Sequence, residues 1–170
     1  MNDQVIHYTY TDSPLGKLLL TRNVAGLAGI WFEGQKYEAK PQPDWQEKSG
    51  DKLLVATIKQ LERYFKSELK RFEVNLGLSG TEFQKSVWQE LLNIPHGETI
   101  TYGELATRLG RSSAVRAAAA AVGRNPASII VPCHRVVGAN GSLTGYAGGL
   151  DRKKKLLKLE QLSVENFALN

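Results

Sequence analysis

The stretch Ile129-Ile130-Val131-Pro132-Cys133-His134-Arg135-Val136-Val137 joins a run of apolar residues to the one cysteine of the chain. We expect the apolar run to be a buried strand, with a rigid exit at Pro132 because proline has a fixed φ and no N–H donor. Cys133 would then end that strand, followed by His134 and Arg135. Cationic neighbours lower the pKa of a thiol, so the stretch predicts a reactive cysteine. A lone cysteine can also be a small buried hydrophobe, and that alternative stays open at this point.

A histidine beside a reactive cysteine can accept its proton when a third group orients the ring. The acidic residues that follow the cysteine are Asp151, Glu160 and Glu165. Asp151 is placed to cap a helix from Arg152 to Glu160, so Glu160, in the last turn of that helix, is the candidate that orients His134. The alternative is that Glu160 only pairs with a nearby lysine.

Upstream of this stretch, the sequence indicates three helices. The segments Thr81–Gln84 and Thr101–Glu104 both have the capping-box pattern, in which a threonine caps the helix and the fourth residue reaches back. A third helix, capped by Ser112 or Ser113, is expected to run to about Gly123. Two short helices with a glycine-containing turn between them predict a helix-turn-helix.

The N-terminal half has a different pattern. Short runs rich in β-branched and aromatic residues predict an antiparallel meander with strands at Val5–Thr11, Lys17–Thr21 and Leu27–Phe32. Gly34–Gly50 is expected to be a linker or surface loop, Asp51–Lys66 an amphipathic helix, and Phe72–Leu78 a return to the sheet. We therefore predict an α+β fold. Residues 1–79 form a small antiparallel sheet with a helix that supports the second domain, and residues 80–170 form a mainly helical domain containing the helix-turn-helix.

Basic residues are concentrated in the second half. Met1 to Gly80 holds 11 Lys and Arg against 10 Asp and Glu, whereas Leu105 to Lys158 holds ten Lys and Arg against Asp151 alone. A local excess of this kind is typical of proteins that bind a phosphate backbone. A solvated basic surface without a partner is the alternative.

Several classes of protein are not favoured. No apolar run approaches the roughly 20 residues that a membrane span requires. The polar start Met1-Asn2-Asp3-Gln4 lacks the pattern of a signal peptide, so we expect a cytoplasmic protein that does not associate with a membrane. One cysteine cannot form an internal disulfide or a cysteine-rich zinc site, and we predict no metal and no cofactor.

The motifs together resemble the O6-alkylguanine-DNA alkyltransferases. The match is carried by Pro132-Cys133-His134-Arg135-Val136, by Arg124-Asn125-Pro126 upstream and by Thr144-Gly145-Tyr146-Ala147-Gly148-Gly149 downstream. It extends back through Gly80–Gln84, Val87-Trp88, Ile94-Pro95 and Tyr102-Gly103, and covers Gly80 to Glu160 closely. Some relatives carry an N-terminal zinc site with cysteine ligands, which this chain lacks.

The resemblance implies a role for each matching residue. Cys133 takes an alkyl group irreversibly from O6-alkylguanine, and by extension from O4-alkylthymine, in a single-turnover reaction. His134 removes the thiol proton through a water, and Glu160 orients His134. Asn125 braces the turn before the active-site segment, and Tyr102 donates a hydrogen bond toward the base. The residues implied to hold the guanine are Val136, Tyr146 and Ala147. Packing alone could also explain Tyr102, and a plain helix-ending turn could explain Asn125.

The resemblance also implies how DNA is bound. The nucleotide is flipped out of the duplex, which costs a few kcal/mol, and Arg116 fills the space it leaves. We expect the alanine-rich helix to enter the minor groove, with DNA contacts from Arg116, Ala117, Ala121, Arg124 and Arg135. The segment Ala117-Ala118-Ala119-Ala120-Ala121 departs from the family pattern, which usually has a bulky valine and then a glycine after this arginine. We expect double-stranded DNA as the partner and no obligatory protein partner.

Three rival functions make different predictions. A relative of the alkyltransferase-like proteins would bind the lesion without repair, but those proteins replace the cysteine. A Cys-His hydrolase would turn over repeatedly. A helix-turn-helix regulator would read a specific sequence in the major groove, for which the alanine-rich helix has almost no polar side chains.

Overall fold

The computed structural model describes residues 5–160, so the N-terminal segment Met1–Gln4 and the last ten residues, with Glu165, lie outside the described part. Contacts between residues separate the chain into two compact units, Met1–Ser79 and Gly80–Asn170. Helices and strands coexist as the sequence predicts, and the α+β fold class is confirmed. Within residues 5–160 no helix is both long enough and apolar enough to cross a bilayer.

The first unit is built on a four-stranded sheet. Its strands are β1 His7–Thr11, β2 Leu18–Asn23, β3 Gly26–Phe32 and β4 Gln46–Glu47, in the order β3-β2-β1-β4. β1, β2 and β3 pair antiparallel, which confirms the predicted meander. The buried side chains of β2 and β3 include Leu18, Leu20 and Ile30, none of which is exposed to solvent.

Two segments of this unit differ from expectation. Gly34–Gly50 was expected to be only a loop, yet β4 lies within it and pairs parallel to β1. The aromatic ring of Trp45 lies 6.3 Å from that of Tyr8, which holds the segment against the sheet. Phe72–Leu78 returns to the sheet as predicted, but only through a single bridge to β3, between Leu76 and Leu27.

One helix, α1 Lys52–Phe65, packs on this sheet. Asp51 caps it: the carboxylate accepts hydrogen bonds from the N–H groups of Leu53 and Leu54 at 3.0 and 3.2 Å. His7 and Arg22 also reach that carboxylate, at 2.8 and 3.3 Å. Burial alone would raise the pKa of Asp51, but these hydrogen bonds outweigh it and lower the pKa.

The second unit begins with three helices that pack on one another. They are α2 Glu82–Leu91, α3 Tyr102–Arg108 and α4 Val115–Gly123. The first capping box is confirmed, since Thr81 accepts from the N–H of Gln84 and the Gln84 side chain accepts from the N–H of Thr81. α3 and α4 form the predicted helix-turn-helix.

Two predicted helix caps in this unit are incomplete or wrong. Thr101 caps α3, but the carboxylate of Glu104 pairs with Arg108 at 2.9 Å instead of completing a box. Neither Ser112 nor Ser113 caps α4, because the helix starts one or two residues later, with Ala114 at its N-cap position.

The chain then leads to a short 3₁₀ helix, Cys133–Arg135, and to two further elements. β6 Val136–Val137 pairs parallel with β5 Ile100–Thr101, and α5 Leu150–Leu159 closes the unit by packing against the 3₁₀ helix. Asp151 was expected to cap α5; instead Gly149 is at the N-cap position and Asp151 pairs with Lys155 at 3.0 Å.

Candidate active site

The segment before Cys133 is a buried turn, and the prediction of a strand at Ile129–Val131 is wrong. The Asn125 side chain provides the backbone partners that a neighbouring strand would have supplied. Its amide NH₂ donates to the carbonyl of Val131 at 2.8 Å, and its amide oxygen accepts from the N–H of Ala127 at 2.9 Å. The same NH₂ lies 3.1 Å from Sγ of Cys133 and donates to it. Asn125 thus fixes both the turn and the sulfur.

His134 and Arg135, the two residues after the cysteine in the sequence, form one buried ionic cluster with Glu160. Nε2 of His134 lies 2.8 Å from Oε2 of Glu160. Arg135 binds the same carboxylate through two nitrogens, at 2.8 and 3.0 Å, and donates to the carbonyl of Ile94 at 2.7 Å. Glu160 is therefore held on one side by a histidine and on the other by a guanidinium.

The electrostatics of the cluster follow from burial and these contacts. Burial would raise the pKa of Glu160, but the hydrogen bond from His134 and the hydrogen bonds and charge of Arg135 outweigh it and hold that pKa well below its usual range. Burial lowers the pKa of His134, against the opposing effect of Glu160, so the ring is neutral near pH 7. A carboxylate at Nε2 favours the proton on Nε2 and leaves Nδ1 as the acceptor. Nδ1 has no hydrogen-bond partner among the described residues.

The thiol environment differs from the sequence-based expectation. Burial raises the pKa of Cys133, and the hydrogen bond from Asn125 and the charge of Lys153 only partly oppose it. The expected lowering by His134 and Arg135 does not occur, because His134 is neutral and the guanidinium of Arg135 binds Glu160. Cys133 is 5% exposed and holds its proton at rest, so ionisation needs an acceptor and a positive charge close by.

The segment from Gly138 to Gly149, the 138–149 loop, contributes the residues predicted to hold a base. Tyr146 and Ala147 are half-buried, and the hydroxyl of Tyr146 is buried without a hydrogen-bond partner among the described residues. Burial raises the pKa of Tyr146 well above its ordinary value. The hydroxyl of Tyr102 donates to the carbonyl of Thr144 at 3.5 Å. Val136, directly after the 3₁₀ helix, is fully buried in β6.

The residues predicted to bind DNA do not all lie on a surface. Arg116, Ala117 and Arg124 are exposed on α4 or at its end. Ala121 is 3% exposed, and its carbonyl accepts a hydrogen bond from the indole of Trp88 at 2.8 Å. The prediction that Ala121 contacts DNA does not fit this position, because α4 turns that residue toward α2.

Arg135 requires the same correction. The residue is 7% exposed, and its guanidinium is bonded to Glu160 and to a backbone carbonyl. An arginine held in this way has no free donor surface for a phosphate, so we assign it to the ionic cluster.

Sequence reasoning missed two residues of α5. Lys153 donates to the carbonyls of Thr144 and Gly145 at 2.8 and 3.1 Å, and Arg152 donates to that of Gly148 at 3.0 Å. A signal was present: Lys153 falls between the apolar positions Leu150, Leu156 and Leu157 of the helix. No group of three His, Cys, Asp or Glu side chains in residues 5–160 is arranged to hold a metal ion.

Comparison with known proteins matches both units of the chain to domains of one protein family. The family model described as the 6-O-methylguanine DNA methyltransferase DNA binding domain matches residues 82–162, and the model of the ribonuclease-like domain of that methyltransferase matches residues 6–78. The methylated-DNA–protein-cysteine methyltransferase of Methanosarcina acetivorans is 50% identical over 91% of this chain and 98% of its own length.

Solved structures show the same similarity. The Mycobacterium tuberculosis O6-methylguanine methyltransferase is 46% identical, with a TM-score of 0.82 over 92% of this chain and 93% of that one. The complex of Mycobacterium tuberculosis OGT with DNA has a TM-score of 0.84 at 43% identity, over 95% of each chain. With both units matched by the family's models, the chain belongs to the 6-O-methylguanine DNA methyltransferase family.

Proposed function

We propose that this protein repairs DNA by transferring the alkyl group of O6-alkylguanine irreversibly to Cys133. The observation that carries the proposal is the buried Cys133 thiol, fixed by Asn125, next in sequence to a histidine whose ring is oriented by Glu160. A protonated, buried thiol beside a neutral histidine is suited to ionise only when substrate is bound.

The reaction is an in-line displacement. The thiol proton leaves to Nδ1 of His134 through a water, and the sulfur forms a bond to the alkyl carbon as the bond from that carbon to O6 breaks. The electron pair of the broken bond stays on the guanine, which takes up one proton from water. His134 returns the thiol proton to water, so one proton passes overall from the thiol to the base. The net change is an alkylguanine and a thiol converted to guanine and a thioether, so each protein molecule reacts once.

The base would be held by the residues around the 138–149 loop. The buried hydroxyl of Tyr146 and the hydroxyl of Tyr102 are donors for a departing guanine, and such donors stabilise charge that develops on a leaving group. Main-chain groups near Val136 and Ala147 would complete the contacts. An O6 substituent is inaccessible within a duplex, so the nucleotide must be flipped out. O4-alkylthymine would enter the same site.

The DNA would bind through α4. Arg116 and Arg124 are exposed cations, and Ala117 is a small exposed residue beside them. A minor groove about 6 Å wide favours small side chains, and its degenerate pattern suits a protein that must find a lesion in any sequence. Arg116 would fill the space of the flipped nucleotide. The protein would act in the cytoplasm without an obligatory protein partner.

The deciding experiment is the intact mass of the protein before and after incubation with a duplex that contains O6-methylguanine. We expect a gain of one methyl group, located on Cys133, and one methyl removed per molecule. Cys133→Ser should bind the duplex and gain nothing. A mass that never changes while the lesion is bound would instead indicate a lesion-binding protein. Several lesions repaired per molecule would indicate an enzyme that turns over, and either result would overturn the proposal.

A further inference from the structure

Lys153 is a fully buried lysine in the middle of α5. Its neighbours Lys154 and Lys155 are exposed, whereas Lys153 has 0% exposure. Removing an ammonium from water costs several kcal/mol unless the protein supplies compensating contacts. A buried charge at this position therefore needs an explanation in the residues that surround it.

The contacts of Lys153 are to neutral groups. Its Nζ donates to the carbonyls of Thr144 and Gly145, and it lies 5.9 Å from the centre of the Tyr102 ring. The carbonyl of Thr144 also accepts from the Tyr102 hydroxyl. Within residues 5–160 the ammonium forms no ion pair with a carboxylate, because Glu160, the buried carboxylate of this unit, is held by His134 and Arg135.

Lys153 is a cation whose charge acts on the thiol of Cys133. α5 packs against the 3₁₀ helix that carries Cys133, and the charge of Lys153 acts on the thiol to lower its pKa. The effect is mutual, since the Cys133 thiolate acts on Lys153 to raise its pKa. The other titratable or charged groups that face these two residues are His134, Arg135, Glu160, Tyr102, Tyr146 and Arg152.

We propose that Lys153 is a positioning residue for alkyl transfer, whose buried ammonium holds the Thr144–Gly145 segment in place and supplies the positive charge that stabilises the Cys133 thiolate. The proposal rests on the proposed function for the identity of the reaction. The ionisation of the thiol can be measured without any alkylated DNA, so the two can fail independently.

The side chain of Lys153 is charged at neutral pH. Burial lowers the pKa of Lys153 from 10.5 to about 8, with the Cys133 thiolate opposing the shift. At neutral pH most molecules therefore carry the ammonium, and the charge is lost as the pH rises above about 8.

The test is the rate at which iodoacetamide alkylates Cys133 near neutral pH, where Lys153 is charged. This rate follows the fraction of thiolate, and the mass of the product reports a single thiol because the chain has one cysteine. Lys153→Met removes the charge and keeps the length of the side chain. An opposite charge at short range shifts a pKa by about 1–3 units, so we expect Lys153→Met to hold about tenfold less thiolate and to react about tenfold more slowly. Lys154→Met, the exposed neighbour on the same helix, should react like the unmodified protein.

The reaction itself gives a second readout. With free O6-benzylguanine as substrate, Lys153→Met should react about tenfold more slowly near neutral pH and approach the unmodified rate above about pH 8, where Lys153 of the unmodified protein loses its charge. Lys153→Arg keeps the charge and should restore most of the rate. If Lys153→Met does not fold, Lys153→Gln, which can still donate to one carbonyl, replaces it in both measurements.

Two results would overturn the inference. One is a folded Lys153→Met whose thiol reacts with iodoacetamide as fast as that of the unmodified protein. The other is a folded Lys153→Arg whose thiol reacts as slowly as that of Lys153→Met, since packing rather than charge would then be responsible. A slowed reaction with iodoacetamide in a protein that never accepts a methyl group would leave Lys153 as the counter-charge of Cys133 and would refute the proposed function alone.

Discussion

Replacing Glu160 with glutamine should slow alkyl transfer much more than it weakens DNA binding. Oε2 of Glu160 faces Nε2 of His134 at 2.8 Å and a terminal nitrogen of Arg135 at 3.0 Å, while Oε1 faces Nε of Arg135 at 2.8 Å. Glutamine has one oxygen and one NH₂. Whichever way it is placed, its NH₂ faces a donor, so a buried N–H of the cluster loses its acceptor.

The magnitude follows from the burial of the cluster. Breaking a buried ion pair by removing one partner costs about 3–5 kcal/mol of stability. Loss of an oriented general base slows a reaction by about 10²–10⁴-fold. The matched control is Glu104→Gln, which breaks the half-exposed pair with Arg108 and should cost less than about 1 kcal/mol.

The assay is the single-turnover rate of methyl transfer from a duplex, with DNA binding measured by fluorescence anisotropy and stability by urea denaturation. All rates are taken at a temperature where circular dichroism shows Glu160→Gln to be folded. A folded Glu160→Gln that transfers methyl groups at the unmodified rate would refute the assignment of Glu160 as the residue that orients His134.

Three further predictions follow from the same unit. Ala117→Leu should reduce repair of duplex DNA and spare the reaction with free O6-benzylguanine, whereas Ala121→Leu, at a buried position, should lower stability by about 1–3 kcal/mol and reduce both reactions; equal losses in the two substrates for Ala117→Leu would contradict a DNA-facing role. Asn125→Ala should lose about 1–3 kcal/mol for each stranded backbone group and raise the pKa of Cys133, measured by denaturation and by a slower reaction of the thiol with iodoacetamide at neutral pH; an unchanged stability would show that water replaces the amide. The pKa of Glu160 is lower in the folded than in the unfolded protein. The stability that the ionised Glu160 contributes is therefore complete above the ordinary pKa of 4.5 and is lost as the pH falls further. The free energy of unfolding of the unmodified protein should decrease below pH 4.5 more steeply than that of Glu160→Gln, and parallel pH curves would count against the low pKa.

The sequence was most informative where a local rule decides the structure. The capping box at Thr81 and the helical spacing of apolar residues after Asp51 each depend on nearby residues, and both helices begin within one residue of the predicted start. The pairing of His134 with Glu160 could be anticipated because few acidic residues follow the cysteine.

The predictions from sequence failed where the structure of a segment is decided by a side chain elsewhere in the chain. An apolar run such as Ile129–Val131 suits a strand or a buried turn, and the choice is made by Asn125, whose amide occupies the backbone groups. A cation beside Cys133 could face the sulfur or a carboxylate, and only the folded chain shows Arg135 turned to Glu160. The sequence did not distinguish Lys153 from the basic residues around it, because three of its neighbours are also cationic.

The 138–149 loop is anchored through its backbone, so its position does not depend on the identity of its side chains. Lys153 and Arg152 hold it through the backbone carbonyls of Thr144, Gly145 and Gly148, and these contacts do not use the side chains of the loop. Residues such as Tyr146 and Ala147 can therefore be exchanged without removing an anchor. The loop is thus a natural place to alter which alkylated bases are accepted, by evolution or by directed selection, while the rest of the reaction centre stays as it is.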